Sequence, residues 1–247
     1  MRRRHAWPHH GVVSRGARRH HLTIAVVAVV TGALLLTVAS WLTPLKRGLV
    51  RPPADTATGS HAFFTLQRDA SGPVGYDPCQ PIRVAVNPLG APPGWRELVD
   101  TAIAHVSGPS GLRFHVIGTT DDLAGRTLGP LNGQAPVLVS WAPLGGIPGP
   151  DGDTAGRAFS LGMVEQGRSY YASGEVTFDV DVFRELSNGH DADRLLQPIL
   201  DHEFGHLVGL AHVEDEGEMM NHHNLGRTTW GPGDLAGLAA LGRVPCA

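Results

Sequence analysis

His202-Glu203-Phe204-Gly205-His206-Leu207-Val208-Gly209-Leu210-Ala211-His212 is the stretch that decides how this chain is read. It closes a longer segment, Asp191 to Leu210, in which Leu195, Leu196, Ile199, Leu200, Phe204 and Leu207 recur at helical spacing. On such a helix His202 and His206 share one face about one turn apart, so both imidazoles reach a single ion. Glu203 is adjacent to the first histidine, which puts its carboxylate beside the open position of a metal rather than on the metal. There it accepts a proton from water. Gly209 is the residue type that ends a helix in a left-handed turn and sends the chain back towards its own axis, so His212 completes a tripod. Three neutral nitrogen ligands with an open fourth position describe a catalytic zinc, whereas a structural zinc is fully enclosed. Random order of this composition gives the eleven-residue pattern in about 2 chains in 10,000, so histidines without a role on a surface helix compete poorly.

Outward from the motif the pattern is mixed. Ile82 to Val86 alternates as a strand, and Pro92-Pro93 introduces a helix over about Gly94 to Val106 that the Gly108-Pro109 pair closes. Extended segments start at Leu112, Pro136, Gly156 and Gly174, separated by Gly/Pro-rich loops. Gly233 to Leu241 reads as a short terminal helix. The order is strand, helix, four strands, helix, loop, helix, without internal repeats, which makes the chain α+β.

With the motif and this order in hand, the sequence resembles the metzincin metallopeptidases, most closely the matrixin branch. Met220, in Glu218-Met219-Met220-Asn221, follows His212 at the spacing of the matrixin methionine turn, with Met219 as the alternative should the turn shift by one. Gly233 to Gly242 looks like the terminal helix of that family. The resemblance implies a zincin fold: a twisted five-stranded mixed sheet, three-layer-like, with an active-site helix, a methionine turn and a C-terminal helix. It also implies one catalytic Zn2+ on His202, His206 and His212, Glu203 as general base, and Met220 as an apolar floor under the imidazoles. The strand from Gly156 to Val164 would be the sheet edge that pairs with substrate backbone. Calcium often accompanies matrixins, and Asp151-Gly152-Asp153 offers oxygen ligands or is simply a turn.

Other residues depart from the family or admit two readings. Asn221 and His222 occupy positions where related enzymes have Tyr-Pro or a metal-approaching tyrosine, so His222 is either a fifth ligand or an exposed polar residue. Asp179 and Asp181 orient a zinc-bound imidazole or are solvated. Glu214, Asp215, Glu216 and Glu218 form an acidic run, read as a solvated loop. Trp230 is a pocket wall or a core residue. Asp234 is the one acid after Glu218 that could replace His212 as third ligand.

Residues 1–21 are basic and read as a cytoplasmic N-terminus; Leu22 to Leu42 is twenty-one residues without a charge, enough to span a bilayer as a signal-anchor. Six arginines precede the run, so the remainder faces outwards. Secretion after cleavage near Val38-Ala39-Ser40 is the alternative. Residues 43–75 are rich in Pro, Gly, Ala, Ser and Thr and read as a flexible stalk, leaving 76–247 as the catalytic domain. From Asp55 onward eleven bases face twenty-three acids, which excludes nucleic acid as a partner. Cys79 and Cys246, both on the oxidising side of the membrane, either staple the two ends of the domain or remain separate thiols; Cys79 also superficially resembles a propeptide switch. The expected protein is a monomeric zinc endopeptidase acting on peptide or protein substrates. The alternative is a membrane-anchored module that keeps zinc and cuts nothing.

Overall fold

The computed structural model describes residues 59–125, 135–144, 148–149, 152–153, 155–223 and 226–247. The basic terminus, the apolar run 22–42 and the first part of the expected stalk lie outside these residues, as does Asp151. Among the described residues no helix is long and apolar enough to cross a membrane. In chain order the elements are β1 (Ala62–Phe63), β2 (Ile82–Val86), α1 (Trp95–Ser110), β3 (Phe114–Thr119), β4 (Val137–Ala142), β5 (Pro148–Gly149), β6 (Gly152–Asp153), β7 (Gly156–Glu165), β8 (Arg168–Asp179), α2 (Val180–Ser187), α3 (Ala192–Val208), β9 (Leu210–Ala211) and α4 (Pro232–Leu241).

Five strands form one mixed sheet in the order β3-β2-β4-β8-β7. The first four run parallel and β7 is antiparallel to β8, which makes the five-stranded mixed sheet that the resemblance implies. β2 and β4 are interior because their sequences are apolar at nearly every position: Val84, Val86, Val137, Val139 and Trp141 face the helices, while Ala85, Leu138 and Ser140 are also buried. α1 and α3 cover the helix side, contributing Leu98, Val99, Ala102 and Val106 from one and Leu196, Ile199, Leu200, Phe204 and Leu207 from the other. Beside the site the two helices are tied by a buried carboxylate: Asp201 accepts from Gln197 at 2.9 Å and lies 2.8 Å from His105 Nδ1.

Three elements differ from the sequence reading, each for a physical reason. α1 does not stop at Gly108-Pro109 but runs to Ser110, where Gly111, at φ 73°, donates its N–H to Ser107 O. Proline lacks the N–H that would have bonded His105 O, and the indole N–H of Trp230 donates to that carbonyl instead, at 3.2 Å. β8 starts at Arg168, six residues before Gly174, because a tight turn at Gln166-Gly167, both at positive φ, folds it back on β7. α2 escaped notice because the alternation Val176, Phe178, Val180, Val182 continues past the end of the strand. Asp179 ends it by accepting from the N–H groups of Asp181 and Val182, an N-cap.

Residues 59–75, read from sequence as the end of a stalk at 43–75, pack on the folded unit. Ala62 and Phe63 pair with Ala211 and Leu210, and Val74 is a core residue. The Gln67 amide bonds Ser169 in both directions, at 2.8 and 3.0 Å. Cys79, just after this segment, and Cys246, near the end of the sequence, form a disulfide across 167 residues, so neither is a free thiol.

Candidate metal centre

α3 carries His202 and His206 one turn apart, and the chain reverses at Gly209, whose φ is 125°. A side chain there would also meet Leu241, Tyr171 and the carbonyl of Val74, so glycine is needed for both conformation and space. The reversal returns His212 to the helix. His202 Nε2 and His206 Nε2 each lie 3.0 Å from His212 Nε2. Among the described residues the three histidines form a group that could hold a metal ion, and no fourth side chain joins it.

Whether these residues fit a cation can be judged from the other ring nitrogens. His202 Nδ1 donates to Met219 O at 2.9 Å and His206 Nδ1 donates to Leu210 O at 2.8 Å. Those bonds place the proton of a neutral ring on Nδ1 and leave Nε2 as a lone pair. Burial keeps both rings neutral: it lowers His202 to about 4 and His206 well below its ordinary value, against the opposing pull of the carbonyl bonds. His212 Nε2 can bring at most one proton to two such neighbours. At least one contact therefore sets lone pair against lone pair, an arrangement that a shared cation resolves, and three nitrogen donors suit zinc.

Glu203 is buried, its Oε2 without a hydrogen-bond partner. Burial raises its carboxyl to about 8, and the Arg157 charge pulls the other way. The carboxylate fits because β7 begins with a glycine. A Cβ at Gly156 would sit 2.7 Å from Glu203 Cγ and 2.9 Å from its Oε1. The first residue of the sheet edge thus rests directly on the acid beside the triad.

The matrixin family model matches residues 150–229, the stretch that holds β7, β8, α3 and the three histidines. That stretch is matrixin-like. The match supports a zinc metallopeptidase. Among solved structures, an archaemetzincin from Methanopyrus kandleri is 17% identical over 62% of this chain and 88% of its own, with a TM-score of 0.37. A structure titled "GM1 bound form of the ECX AB5 holotoxin" is 14% identical over 59% of this chain, with a TM-score of 0.34; the present chain spans 61% of the length of that one. No curated protein matches.

Below the matrixin-like triad both methionines contribute. Met220 is buried, and its sulfur lies against Gly205, where a Cβ would meet Sδ at 2.8 Å and the Trp230 ring at 2.9 Å. Met219, weighed as the alternative, supplies the carbonyl for His202. The turn is then clamped to α4 by two carboxylates. Glu218 accepts from Gly233 N and Asp234 N at 2.9 and 2.7 Å, and Asp234 accepts from Met219 N, Met220 N and Gly231 N. Burial and the Glu218 charge raise Asp234 to about 6.

Several sequence expectations are revised in this matrixin-like site. Asp179 and Asp181 do not orient an imidazole: the first caps α2 and accepts from Leu144 N, the second pairs with Arg184, and backbone carbonyls hold His202 and His206. Glu218 is not part of a solvated run but buried in the clamp. Asp234 is occupied by backbone amides and is no ligand. His222 is not in the ligand group; its ring centroid is 6.5 Å from that of His212, and its Nδ1 is 3.6 Å from Glu214. Trp230 packs against the core and Gly205. Gly156, Gly205 and the two carbonyls carry site roles that the sequence reading does not assign, and Asp234, read there as an alternative third ligand, holds the methionine turn instead. Gly205 could have been suspected as a glycine between the motif histidines and Asp234 as an acid in the first turn of a helix, whereas nothing next to Gly156 in sequence marks its contact with Glu203.

Proposed function

We propose that this chain is a zinc-dependent endopeptidase that hydrolyses peptide bonds of proteins outside the membrane. The observation that carries the reading is the convergence of neutral imidazole nitrogens, 3.0 Å apart, beside the buried and unpaired carboxylate oxygen of Glu203. His202, His206 and His212 would hold the ion. When bound, zinc supplies a Lewis acid that polarises the scissile carbonyl and acidifies a water. Glu203 takes the proton from the attacking water and returns it to the departing amine, and burial keeps its proton affinity high enough for both tasks.

Substrate would lie extended along the outer edge of β7, adding a strand to the sheet. That edge has no neighbour among the described strands, and its first residue touches Glu203, so a peptide paired there passes the acid. The apolar run 22–42 behind a basic segment supports a signal-anchor with the domain on the outer side.

The test is Glu203→Gln, with zinc content measured by elemental analysis and hydrolysis measured on casein and quenched peptides. Zinc is retained and cleavage falls by about 10²- to 10⁴-fold. Undiminished hydrolysis by the variant removes the mechanism.

A further inference from the structure

The short segment before the sheet has a relationship to the metal centre that the peptidase reading has not used. β1 pairs with β9, the two residues immediately before His212, and Phe64 N–H adds a bond to Gly209 O at 3.1 Å. These backbone contacts fix neighbouring phenylalanines to opposite sides. Phe63 packs on the core, whereas Phe64 is 54% exposed and its ring centroid lies 5.1 Å from that of His206. An aromatic ring left in water beside a ligand histidine, and held there by pairing rather than by its own packing, offers apolar area that a bound side chain covers without first having to order the ring.

We infer that Phe64 is a specificity-determining residue whose ring forms an apolar shelf on the His206 side of the triad and receives an aromatic or large aliphatic side chain of the peptide substrate. The inference rests on the peptidase reading and commits it to a substrate class. Peptides with a bulky apolar residue one or a few positions from the scissile bond are preferred over those with alanine or an acid there. The shelf is continuous with the metal site, because the strand that positions it runs directly into His212.

The experiment measures binding and cleavage separately. In the full-length Glu203→Gln chain, calorimetry gives the affinity for uncut peptides that carry Phe, Leu, Ala or Asp at each position around the scissile bond. Adding Phe64→Ala weakens binding of the best Phe peptide by about three- to tenfold, the worth of one aromatic pair, and leaves the Ala peptide unchanged. Phe64→Leu restores the preference for aliphatic side chains. With Glu203 intact, Phe64→Ala raises KM for the Phe peptide and leaves kcat alone. Equal losses across the peptide set, or none, overturn the shelf. Failure of the Glu203-intact chain to cut any peptide counts against the peptidase reading instead, while the binding comparison still decides the role of Phe64.

Discussion

Asp234 and His202 are joined through a single residue: the Asp234 carboxylate accepts the N–H of Met219, and the carbonyl of Met219 accepts the Nδ1–H of His202. The first turn of the terminal helix is therefore linked to the tautomer and the aim of His202, on another helix, through the backbone N–H and C=O of Met219.

Asp234→Asn tests this link. An amide places a donor where the carboxylate accepts three backbone N–H groups, so Met219 shifts and His202 with it. Zinc affinity, measured by competition with a chelator, falls by about tenfold, the scale of changes behind a metal ligand. The domain also loses about 1–3 kcal/mol of stability. Unchanged zinc affinity would show that the turn holds His202 without help from α4.

The same acid gives a pH signature. Its folded value, about 6, is raised above the ordinary carboxylate value because the group is buried next to Glu218. A raised carboxyl contributes stability that is fully present below its unfolded value, near 4, and is lost as pH rises through about 6. Urea melts of wild type and Asp234→Asn, run from pH 4 to 7.5, should show the difference between them shrinking as pH rises through that window. A difference independent of pH contradicts the assignment.

Gly156→Ala acts on the acid from the other side. A methyl there meets the Glu203 side chain at 2.7 Å, so the carboxylate is displaced while the ligands are untouched. Turnover drops by roughly 10²-fold, as for a 1 Å misplacement of a catalytic group, with zinc content unchanged. Wild-type kcat in this variant would mean that the carboxylate moves aside at no cost to function.

Replacing Cys79 and Cys246 together with serine removes a link across 167 residues. Loss of a native bridge costs about 2–5 kcal/mol, read here as a lower urea midpoint with little change in the zinc-loaded activity of the protein that remains folded. A midpoint equal to wild type would show that the ends are held by packing alone.

The triad and its acid were legible because they depend on local spacing: a helix face, a glycine turn and a neighbour in sequence. The sheet strands were legible from alternation, and the order of elements followed. What escaped depends on partners far along the chain. Residues 59–75 show no period, and what orders them lies far along the chain: Ala62 and Phe63 pair with Ala211 and Leu210, and Gln67 bonds Ser169. α2 was hidden by an alternation that continued past Asp179, where the side chain rather than the apolar pattern turns the backbone. Asp179 and Asp181 stand out as carboxylates, yet the imidazoles of His202 and His206 are held by carbonyls, which every residue carries and no sequence motif marks.

The bridge between Cys79 and Cys246 encloses nearly all of the described domain, including every ligand and Glu203. A backbone nick anywhere inside that loop, including one that the proposed peptidase activity would make, leaves two fragments still covalently joined. They travel as one species on a gel until a reductant is added. Self-digestion would therefore appear as a new pair of bands under reducing conditions, with no loss of mass without reductant.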